Sequence, residues 1–323
     1  MNKKIKLNRK DWKILYELEK DARQSLQSIS KKIGVSKQLV KYSLKKYEKN
    51  GIILAYTTLI DSSRIGYYTY RVYLKFKYVN TPKEKEKILI FLSNLDETTI
   101  VNELSGNFDV GLTITVKNIY DFYKVWEKIM RFKKKILEYR VAIYSPIFHF
   151  TRTLIAPEPE KEIPEIRILG GKEKADIHEI DIKILKILAR NVRQPIINIA
   201  KKLNTSPNSI SKRIKNMEKL GIIQGYRPLF NWNLLGYKYY KIDLILDNHS
   251  KNKELFEYCH KHPNIIQVNQ TIGGSDFEFE IFAKSYEEFK KIMEDIQMKF
   301  SDIIINYEYF IVEKPYKETF MAF

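Results

Sequence analysis

An internal repeat is the feature that most restricts how this chain can fold, because both copies must adopt the same architecture. With an offset of 170 residues, 18 of the 46 positions from 11 to 56 are identical to their counterparts, without a gap. The repeat resumes with an offset of 167, which places Asn102, Gly106 and Asp109 over Asn269, Gly273 and Asp276. The 323 residues therefore form two copies of one unit, and the 44% of hydrophobic residues is typical of a folded globular protein.

The first part of each copy has the pattern of three short helices followed by a strand. Asn8 and Asp176, each with an acidic residue three positions later, are predicted N-caps of the first helix. A second helix is predicted over about 25–33, and Ser36 and Ser206 are predicted to cap a third helix after a tight turn. Three helices, with a short turn between the second and the third, and a following strand predict a helix-turn-helix with a short wing.

The second part of each copy alternates strands and helices. In copy one, strands are predicted at 67–78, 98–105, 108–116 and 139–149, and helices at 82–94 and 119–131; copy two has the same order. The order βαββαβ predicts the ferredoxin-like arrangement, a four-stranded antiparallel sheet with both helices on one face. Apolar residues are assigned to the other face as well, namely Val72, Leu74, Phe76, Val110, Leu112 and Ile114. That face is therefore expected to be covered by a second sheet.

The predicted fold class is α+β, with a helix-turn-helix domain and a ferredoxin-like domain in each copy. The predicted boundaries are 1–60 and 61–155 for the first pair of domains, 156–175 for a linker rich in Pro, Gly and charges, and 176–230 and 231–323 for the second pair. A linker of this length allows self-association of the two sheets within one chain or between the chains of a homo-oligomer.

The net charge of +18 indicates a polyanionic partner, either nucleic acid or an anionic membrane surface. Residues 1–56 hold 15 basic and 5 acidic residues and residues 176–226 hold 10 and 4, whereas residues 227–323 hold 12 and 15. The positive charge therefore belongs to the two helix-turn-helix parts, as neutralisation of DNA phosphates requires.

Other function classes are disfavoured by what the sequence lacks. No apolar run approaches the roughly 18 residues needed to span a bilayer, and residues 1–6 lack the apolar stretch of a secretory signal, so a cytoplasmic protein with no membrane partner is expected. Cys259 is the only cysteine, which excludes an intrachain disulfide and a Cys-rich metal site. His260 and His262 lie nearby, but two positions apart at a helix end they diverge. Neither a metal nor a cofactor is predicted.

The ordered motifs resemble, in two tandem copies, those of the leucine-responsive/asparagine-responsive (Lrp/AsnC) family of transcriptional regulators. The residues that carry the resemblance in copy one are Asp11, Ile14, Leu15, Ala22, Arg23, Ser36, Gly51, Ile52, Ile53, Tyr56 and Ser105-Gly106-Asn107-Phe108-Asp109, with counterparts through Gly273-Gly274-Ser275-Asp276. The resemblance implies an N-terminal DNA-binding domain, a C-terminal domain that dimerises through its sheet, and a small effector, often an amino acid, bound near the Gly-x-x-Asp turn.

This chain departs from the family pattern in two ways. Family members usually carry one copy per chain, so this chain can form its own pseudo-dimer. Copy one has Ser43-Leu44 where the family tends to have Arg-Ile, as Arg213-Ile214 does in copy two. The second departure predicts that the two halves of the DNA site differ.

The third helix of each copy is the candidate DNA-reading element, with double-stranded DNA as the partner. The predicted contact residues are Lys37, Gln38, Lys41, Tyr42 and Lys45 in copy one and Asn208, Ser211, Lys212, Arg213 and Lys215 in copy two. From a helix in the major groove, Gln and Asn pair bidentately with adenine, and Lys pairs with guanine or phosphate. The alternative is that these positions form only a solvated helix face.

The candidate effector site is the turn from Gly106 to Asp109 and its counterpart from Gly273 to Asp276. Free backbone groups at the interface between the sheets would bind the ligand. The same residues also fit a purely structural turn, in which the glycine takes a positive φ and the aspartate bonds its own backbone. The two explanations are compatible.

Two other functions remain open beside a sequence-specific, non-enzymatic regulator. An architectural DNA-binding protein with little sequence preference would have the same charge distribution. A sirohaem-decarboxylase-like enzyme would have the same two-part fold, but such enzymes carry His- and Arg-rich strand segments near the sheet cleft. Segments 97–105 and 264–272 contain neither residue type, and no nucleophile and base or pair of acids recurs in both copies. A protein that is not an enzyme is therefore predicted.

Overall fold

A computed structural model describes residues 6–79 and 81–322. Copy one contains α1 (Arg9–Lys20), α2 (Leu26–Ile33), α3 (Lys37–Lys49), β1 (Ile53–Ile60), β2 (Tyr68–Phe76), α4 (Pro82–Ser93), β3 (Thr98–Gly106), β4 (Val110–Val116), α5 (Ile119–Met130) and β5 (Ile136–Phe150). Between the copies lies β6 (Ile166–Leu169). Copy two contains α6 (Glu179–Arg190), α7 (Ile196–Lys202), α8 (Pro207–Lys219), β7 (Ile223–Phe230), β8 (Lys238–Leu246), α9 (Asn252–Lys261), β9 (Ile265–Ile272), β10 (Phe277–Ala283), α10 (Tyr286–Lys299) and β11 (Ile304–Glu318).

The order of elements is the one that the sequence predicts for both copies. Residues 1–5, on which the expectation of no secretory signal largely rests, lie outside the described residues. Within the described ranges, no helix is long and apolar enough to cross a membrane. The predicted linker 156–175 contains the strand β6, which pairs with the end of β5.

Hydrogen bonds at the helix ends show why α1 and α6 begin where they do. The Asn8 side chain accepts a bond from the N–H of Asp11 at 3.0 Å, and Asp11 accepts one from the N–H of Asn8 at 2.8 Å. The predicted cap at Asp176 is wrong, because His178 is the N-cap and its N–H donates to Asp181 at 2.9 Å. Asp181 is the counterpart of Asp11, so the repeat itself marks the correct start.

The strands of the two βαββαβ units form one closed ring. Copy one has the strand order β5-β2-β4-β3, and copy two has the equivalent order β11-β8-β10-β9. The two sheets are joined at both edges, where β3 pairs with β11 and β9 pairs with β5. All of these pairs are antiparallel, so one chain makes an eight-stranded barrel. The predicted pairing of the two sheets thus occurs within the chain.

The last strand of each copy closes the barrel because it is long enough to serve both sheets. β5 and β11 have 15 residues each, about 50 Å at roughly 3.3 Å per residue. The first part of β5 pairs with β2 in its own sheet, and its second part pairs with β9 of copy two. In the same way β11 pairs first with β8 and then with β3.

The apolar core of each sheet lies beneath its two helices. α4 and α5 pack on one sheet, and α9 and α10 pack on the other. The residues assigned to the opposite face are in fact part of the core beneath α4 and α5: Val72, Leu74, Phe76, Val110, Leu112 and Ile114. That assignment is wrong because side chains alternate along a strand, which leaves Arg71 and Tyr73 to face the barrel interior.

The two helix-turn-helix domains, called the heads below, share one core. β1 and β7 pair antiparallel, with Thr57 opposite Arg227. α6 packs on β1, and α1 packs on β7. Leu15 and Leu18 of α1 and Leu185 of α6 belong to the same buried cluster. The heads therefore form one pseudo-symmetric body.

Candidate nucleic-acid interface

The third helix of each head has one buried face and one exposed face. Ser36 caps α3 and Ser206 caps α8 as predicted, since their hydroxyl oxygens accept bonds from the N–H groups of Leu39 at 3.1 Å and Ser209 at 3.2 Å. The buried positions are Val40, Leu44 and Tyr47 in α3 and Ile210, Ile214 and Met217 in α8. This packing fixes which side chains each helix turns outward.

The predicted DNA contacts lie mainly on these outward faces. All five predicted residues of α3 are exposed, and Tyr42 is 67% exposed although it is aromatic. In α8, Asn208, Lys212 and Lys215 are exposed. Ser211 is partly exposed, and its hydroxyl donates to the Pro207 carbonyl at 3.0 Å. Contact between DNA and each of these residues stays a prediction.

Arg213 is placed differently from the other predicted contacts. Its guanidinium donates to the buried carboxylate of Asp181 on α6, with distances of 3.1 and 3.2 Å from Nη1 to the two oxygens. In copy one the counterpart of this carboxylate, Asp11, accepts a bond from the Tyr47 hydroxyl at 2.6 Å. The difference between Ser43 and Arg213 is therefore matched by the difference between Tyr47 and Met217. It changes the buried partner of the aspartate in each head, and contact between Arg213 and DNA stays a prediction.

Reciprocal contacts hold the two heads to each other. Arg23 of the first head donates to the carbonyl of Val192 in the second at 2.8 Å. Its counterpart Arg193 donates to the carbonyl of Ala22 in the first head at 2.6 Å. Together with the pairing of β1 and β7, these bonds fix the two reading helices relative to each other.

The aspartates of the two Gly-x-x-Asp turns bond the neighbouring strand. The Asp109 carboxylate accepts from the N–H of Phe76 at 2.8 Å, and that of Asp276 accepts from the N–H of Leu246 at 2.9 Å. A purely structural turn was expected to have the aspartate bonded within the turn itself. The two N–H donors belong instead to the neighbouring strands β2 and β8.

The glycines of these turns lie against the other copy. Gly106 has a φ of +115°, and a Cβ there would lie 3.1 Å from the Tyr309 carbonyl oxygen on β11. Gly273 has a φ of +80°, and a Cβ there would lie 3.0 Å from the Val141 carbonyl oxygen on β5. Both positions need glycine for the positive φ and for the close approach of the two sheets. A cavity of about 430 Å³ lies beside Gly106, and effector binding at the turns stays a prediction.

The barrel interior holds a cavity, lined by charged, polar and apolar side chains, that sequence reasoning missed. The cavity has a volume of about 930 Å³ and extends from the strands to residues of the heads. Its charged lining includes Arg71, Lys241, Glu280, Arg152 and Arg227. A site of this size is within the range of pockets that hold small organic molecules.

Most charges at the cavity have a partner. Arg71 of β2 pairs with Glu278 of β10 across the barrel interior, and Lys241 pairs with Glu280 on the neighbouring strand. The Thr271 hydroxyl donates to Glu278 at 3.0 Å. At the end near the heads, Arg152 pairs with Glu19 of α1 at 2.5 Å. Each buried charge in these pairs is thereby compensated.

The end of the cavity near the heads combines Arg152 and Arg227 with the buried carboxyl group of Glu318. Burial and the charges of Arg227 and Arg152 hold the pKa of His149 well below its ordinary value. Burial alone would raise the pKa of Glu19, but the charges of Arg152 and Arg227 outweigh it and lower that pKa. Only segments 97–105 and 264–272 were expected to show His and Arg at a functional cleft. His149 and these arginines lie outside both segments, so the cavity was not predicted.

Alternation along three strands was the signal that could have located this cavity. Arg71 and Tyr73 in β2, Lys241 in β8, and Glu278 and Glu280 in β10 each alternate with apolar residues. In a strand covered by helices on one face, such an alternation places polar side chains on the other face. Glu278 and Glu280 stand where copy one has Gly111 and Thr113, so the barrel interior is less symmetric than the heads.

Cys259, His260 and His262 each have a separate environment. Cys259 lies on α9 and is buried in the core between that helix and the copy-two sheet. His260 Nε2 lies 2.6 Å from the Pro164 carbonyl oxygen, and His262 Nδ1 accepts from the N–H of Asn264 at 3.2 Å. Within residues 6–79 and 81–322, no cluster of three or more His, Cys, Asp or Glu is arranged to hold a metal ion.

Comparison with known proteins identifies the heads and their relatives. The sequence profile for winged helix-turn-helix DNA-binding domains matches residues 7–53 and again residues 177–224. The HTH-type transcriptional regulator FL11 of Pyrococcus horikoshii is 27% identical over 121 residues, which are 38% of this chain and 80% of that protein. The leucine-responsive regulatory protein of Haemophilus influenzae is 42% identical over 71 residues, which are 22% of this chain and 43% of that protein.

A solved structure shares the whole two-copy architecture. The siroheme decarboxylase NirDL superposes with a TM-score of 0.64 over 97% of this chain and 94% of its own, at 14% sequence identity. At this identity the likeness concerns the fold alone.

Proposed function

We propose that this chain is a tandem-duplicated regulator of the Lrp/AsnC type, in keeping with its two winged helix-turn-helix matches and its relatives, and that it reads DNA as a single-chain, two-headed protein with an asymmetric target site. The observation that carries the proposal is the pair of reading faces on α3 and α8, which one chain holds together but equips with different residues. Gln38 stands opposite Asn208 in the repeat, Lys41 opposite Ser211, and Tyr42 opposite Lys212. We place the protein in the cytoplasm with its DNA.

Substitutions in the two heads test this proposal. Lys41→Ala and Lys212→Ala are each expected to change base preference at opposite ends of the bound site. If the lysine reads a base, its replacement should cost about 1–3 kcal/mol of binding free energy at that base position. If the lysine contacts only phosphate, its replacement should weaken binding to all sequences evenly. Lys290→Ala on α10, an exposed lysine far along the chain from both heads, is the control and should leave preference and affinity unchanged. Loss of preference at both ends from either single substitution would contradict the proposal.

An architectural role is separated from a regulatory one by comparing selected and random DNA in one salt buffer. A sequence-specific regulator should bind its selected site at least about 10³-fold more tightly than random duplex. Equal affinity would favour an architectural protein.

We further propose that the chain is not an enzyme, in keeping with relatives named as transcriptional regulators. A decarboxylase is the second candidate, because the fold resembles that of NirDL and the cavity contains His149 and several arginines. Titration with haem or sirohaem distinguishes the two. The regulator predicts a visible spectrum equal to that of the free pigment, whereas a shifted Soret band with stoichiometric binding would favour the enzyme.

A further inference from the structure

Arg227 is a buried cation at the cavity for which the described part of the chain provides no ion pair within 4 Å. It lies on β7, lines the cavity and is only 4% exposed. Its Nε and Nη2 atoms have no hydrogen-bond partner within the described residues. By contrast, Arg71, Lys241 and Arg152 are each paired with a glutamate. An unpaired buried charge is costly, so a compensating anion at this position would be strongly favoured.

Neighbouring charges increase the need for an anion. Burial and the charge of Arg152 lower the pKa of Arg227 to about 9, whereas Glu19 and Glu318 act in the opposite direction. Glu318 lines the same cavity, and burial raises its own pKa, which disfavours its charged form. Burial and the charges of Arg227 and Arg152 hold the pKa of His149, at the same end of the cavity, well below its ordinary value. A bound carboxylate or other anion would relieve the repulsion between Arg227 and Arg152.

The wall next to these arginines is aromatic. The Arg152 guanidinium lies over the rings of Trp232 and Phe230, at 4.9 and 5.5 Å from their centroids. Trp232 stacks on Phe282 at 4.1 Å between centroids, and Phe320 completes the lining on the side of His149. Such a wall suits a flat apolar body beside the charged group.

We propose that this cavity binds a small organic carboxylate with an aromatic body, whose carboxylate lies against Arg227 and whose ring lies along Trp232 and Phe320. The cavity volume of about 930 Å³ leaves room for such a molecule. This position is inside the barrel and at its junction with the heads. It is separate from the Gly-x-x-Asp turns at Gly106 and Gly273, which face the pairing of the two sheets.

The position of the site also connects ligand binding to the heads, a step that rests on the proposed function. Arg227 pairs in register with Thr57 of β1, so it lies where the two heads join. Arg152 is held by Glu19 of α1, the first helix of the first head. A ligand that draws Arg152 or Arg227 toward the cavity acts on both heads, and occupancy is therefore expected to change DNA affinity.

Calorimetric titration of the full chain without DNA tests the site. The probes are indole-3-acetate, its uncharged amide and phenylalanine, which adds an ammonium group to an aromatic carboxylate. We expect indole-3-acetate to bind at least roughly 10-fold more tightly than the amide, because a hydrogen bond between charged groups is lost with the carboxylate. Tighter binding of phenylalanine would identify an amino acid as the form of the carboxylate. Equal binding of acid and amide, or no binding of either acid at millimolar concentration, would overturn the proposal.

Arg227→Met and Arg167→Met are the matched variants. Arg227→Met should weaken indole-3-acetate binding roughly 10- to 100-fold while raising the melting temperature of the free protein, because an unpaired buried charge is removed. Arg167 is equally buried and belongs to the same basic group, but its Nη2 donates to the Lys20 carbonyl at 2.6 Å and it does not line the cavity. Arg167→Met should therefore retain most of the binding. Wild-type binding by Arg227→Met would refute the site, and the comparison of acid with amide decides the question even if a variant fails to fold.

DNA affinity measured with and without the bound carboxylate tests the connection to the heads. A change of several-fold supports it, and an unchanged affinity at saturating ligand overturns it. A chain that binds no DNA at all would contradict the proposed function, whereas the calorimetric result would still stand for the site.

Discussion

Replacing Arg213 by Ser and Met217 by Tyr would give the second head the buried pair that the first head carries at Ser43 and Tyr47. Arg213→Ser alone leaves the Asp181 carboxylate, which is 4% exposed, without its guanidinium partner. A hydrogen bond to a charged group contributes about 1.5–3 kcal/mol. Because the Arg213 side chain is still 32% exposed, solvent screening places the expected loss at the lower end, about 1–2 kcal/mol.

The double variant should recover that loss. A tyrosine hydroxyl at position 217 can donate to Asp181 as the Tyr47 hydroxyl donates to Asp11 at 2.6 Å. Met217→Tyr alone should overpack the buried site and cost about 1–3 kcal/mol, since Arg213 still occupies the space that the small Ser43 leaves free in copy one. Urea denaturation of the four proteins gives the coupling energy, expected at about 2–5 kcal/mol in favour of the double variant, since it recovers both single losses. Additive losses would refute this explanation of the repeat's divergence. DNA affinity measured on the folded variants then shows whether Arg213 also contacts DNA.

Three further results are expected. DNA affinity should fall about 10³- to 10⁵-fold between roughly 50 and 200 mM salt, as contact with about 6–10 phosphates requires; affinity independent of salt in a filter-binding titration would contradict phosphate contact by the basic heads. Gly274→Ala should destabilise the barrel by about 1–3 kcal/mol, because its Cβ would collide with the side chains of Thr271 and Glu278, whereas Asn107→Ala at the equivalent place in copy one should be near neutral in thermal denaturation. Burial and neighbouring arginines hold the pKa of His149 in the folded protein well below 6.5. Because the unfolded chain then binds one more proton, the free energy of unfolding should fall as pH drops below about 6.5, by at most about 1.4 kcal/mol per pH unit. His149→Gln should remove that part of the pH dependence measured by urea denaturation.

The sequence predicts the heads well because their signals are local. The Ser36 and Ser206 caps, the apolar spacing of α3 and α8, and the repeat together determine which faces are buried. The cap predicted at Asp176 is wrong because an acidic residue three positions later is a weak signal by itself. The repeat aligns His178 with Asn8, and this alignment gives the correct cap.

The barrel and its cavity depend on contacts that local patterns do not specify. Closure requires β5 and β11 to continue past their own sheets, and a pattern of alternating residues gives the length of a strand but not its second partner. The helix position of Arg213 predicts a DNA contact, but its bond to Asp181, which lies 32 residues away in the sequence, is not specified by any local pattern. The unpaired state of Arg227 becomes visible only when burial and all surrounding partners are known.

Selection of binding sites from random duplex DNA tests most directly whether one chain acts as a reader with two different heads. Ordinary dimeric helix-turn-helix proteins prefer palindromic sites because an exact two-fold axis relates their two identical heads. The closed barrel and the reciprocal bonds of Arg23 and Arg193 hold two unlike heads in one chain. An asymmetric consensus is therefore expected, bound by one chain per site, with Lys41→Ala altering one end and Lys212→Ala altering the other. A perfectly palindromic consensus, in which both substitutions affect both halves equally, would contradict the self-paired reader and favour a dimer of tandem chains.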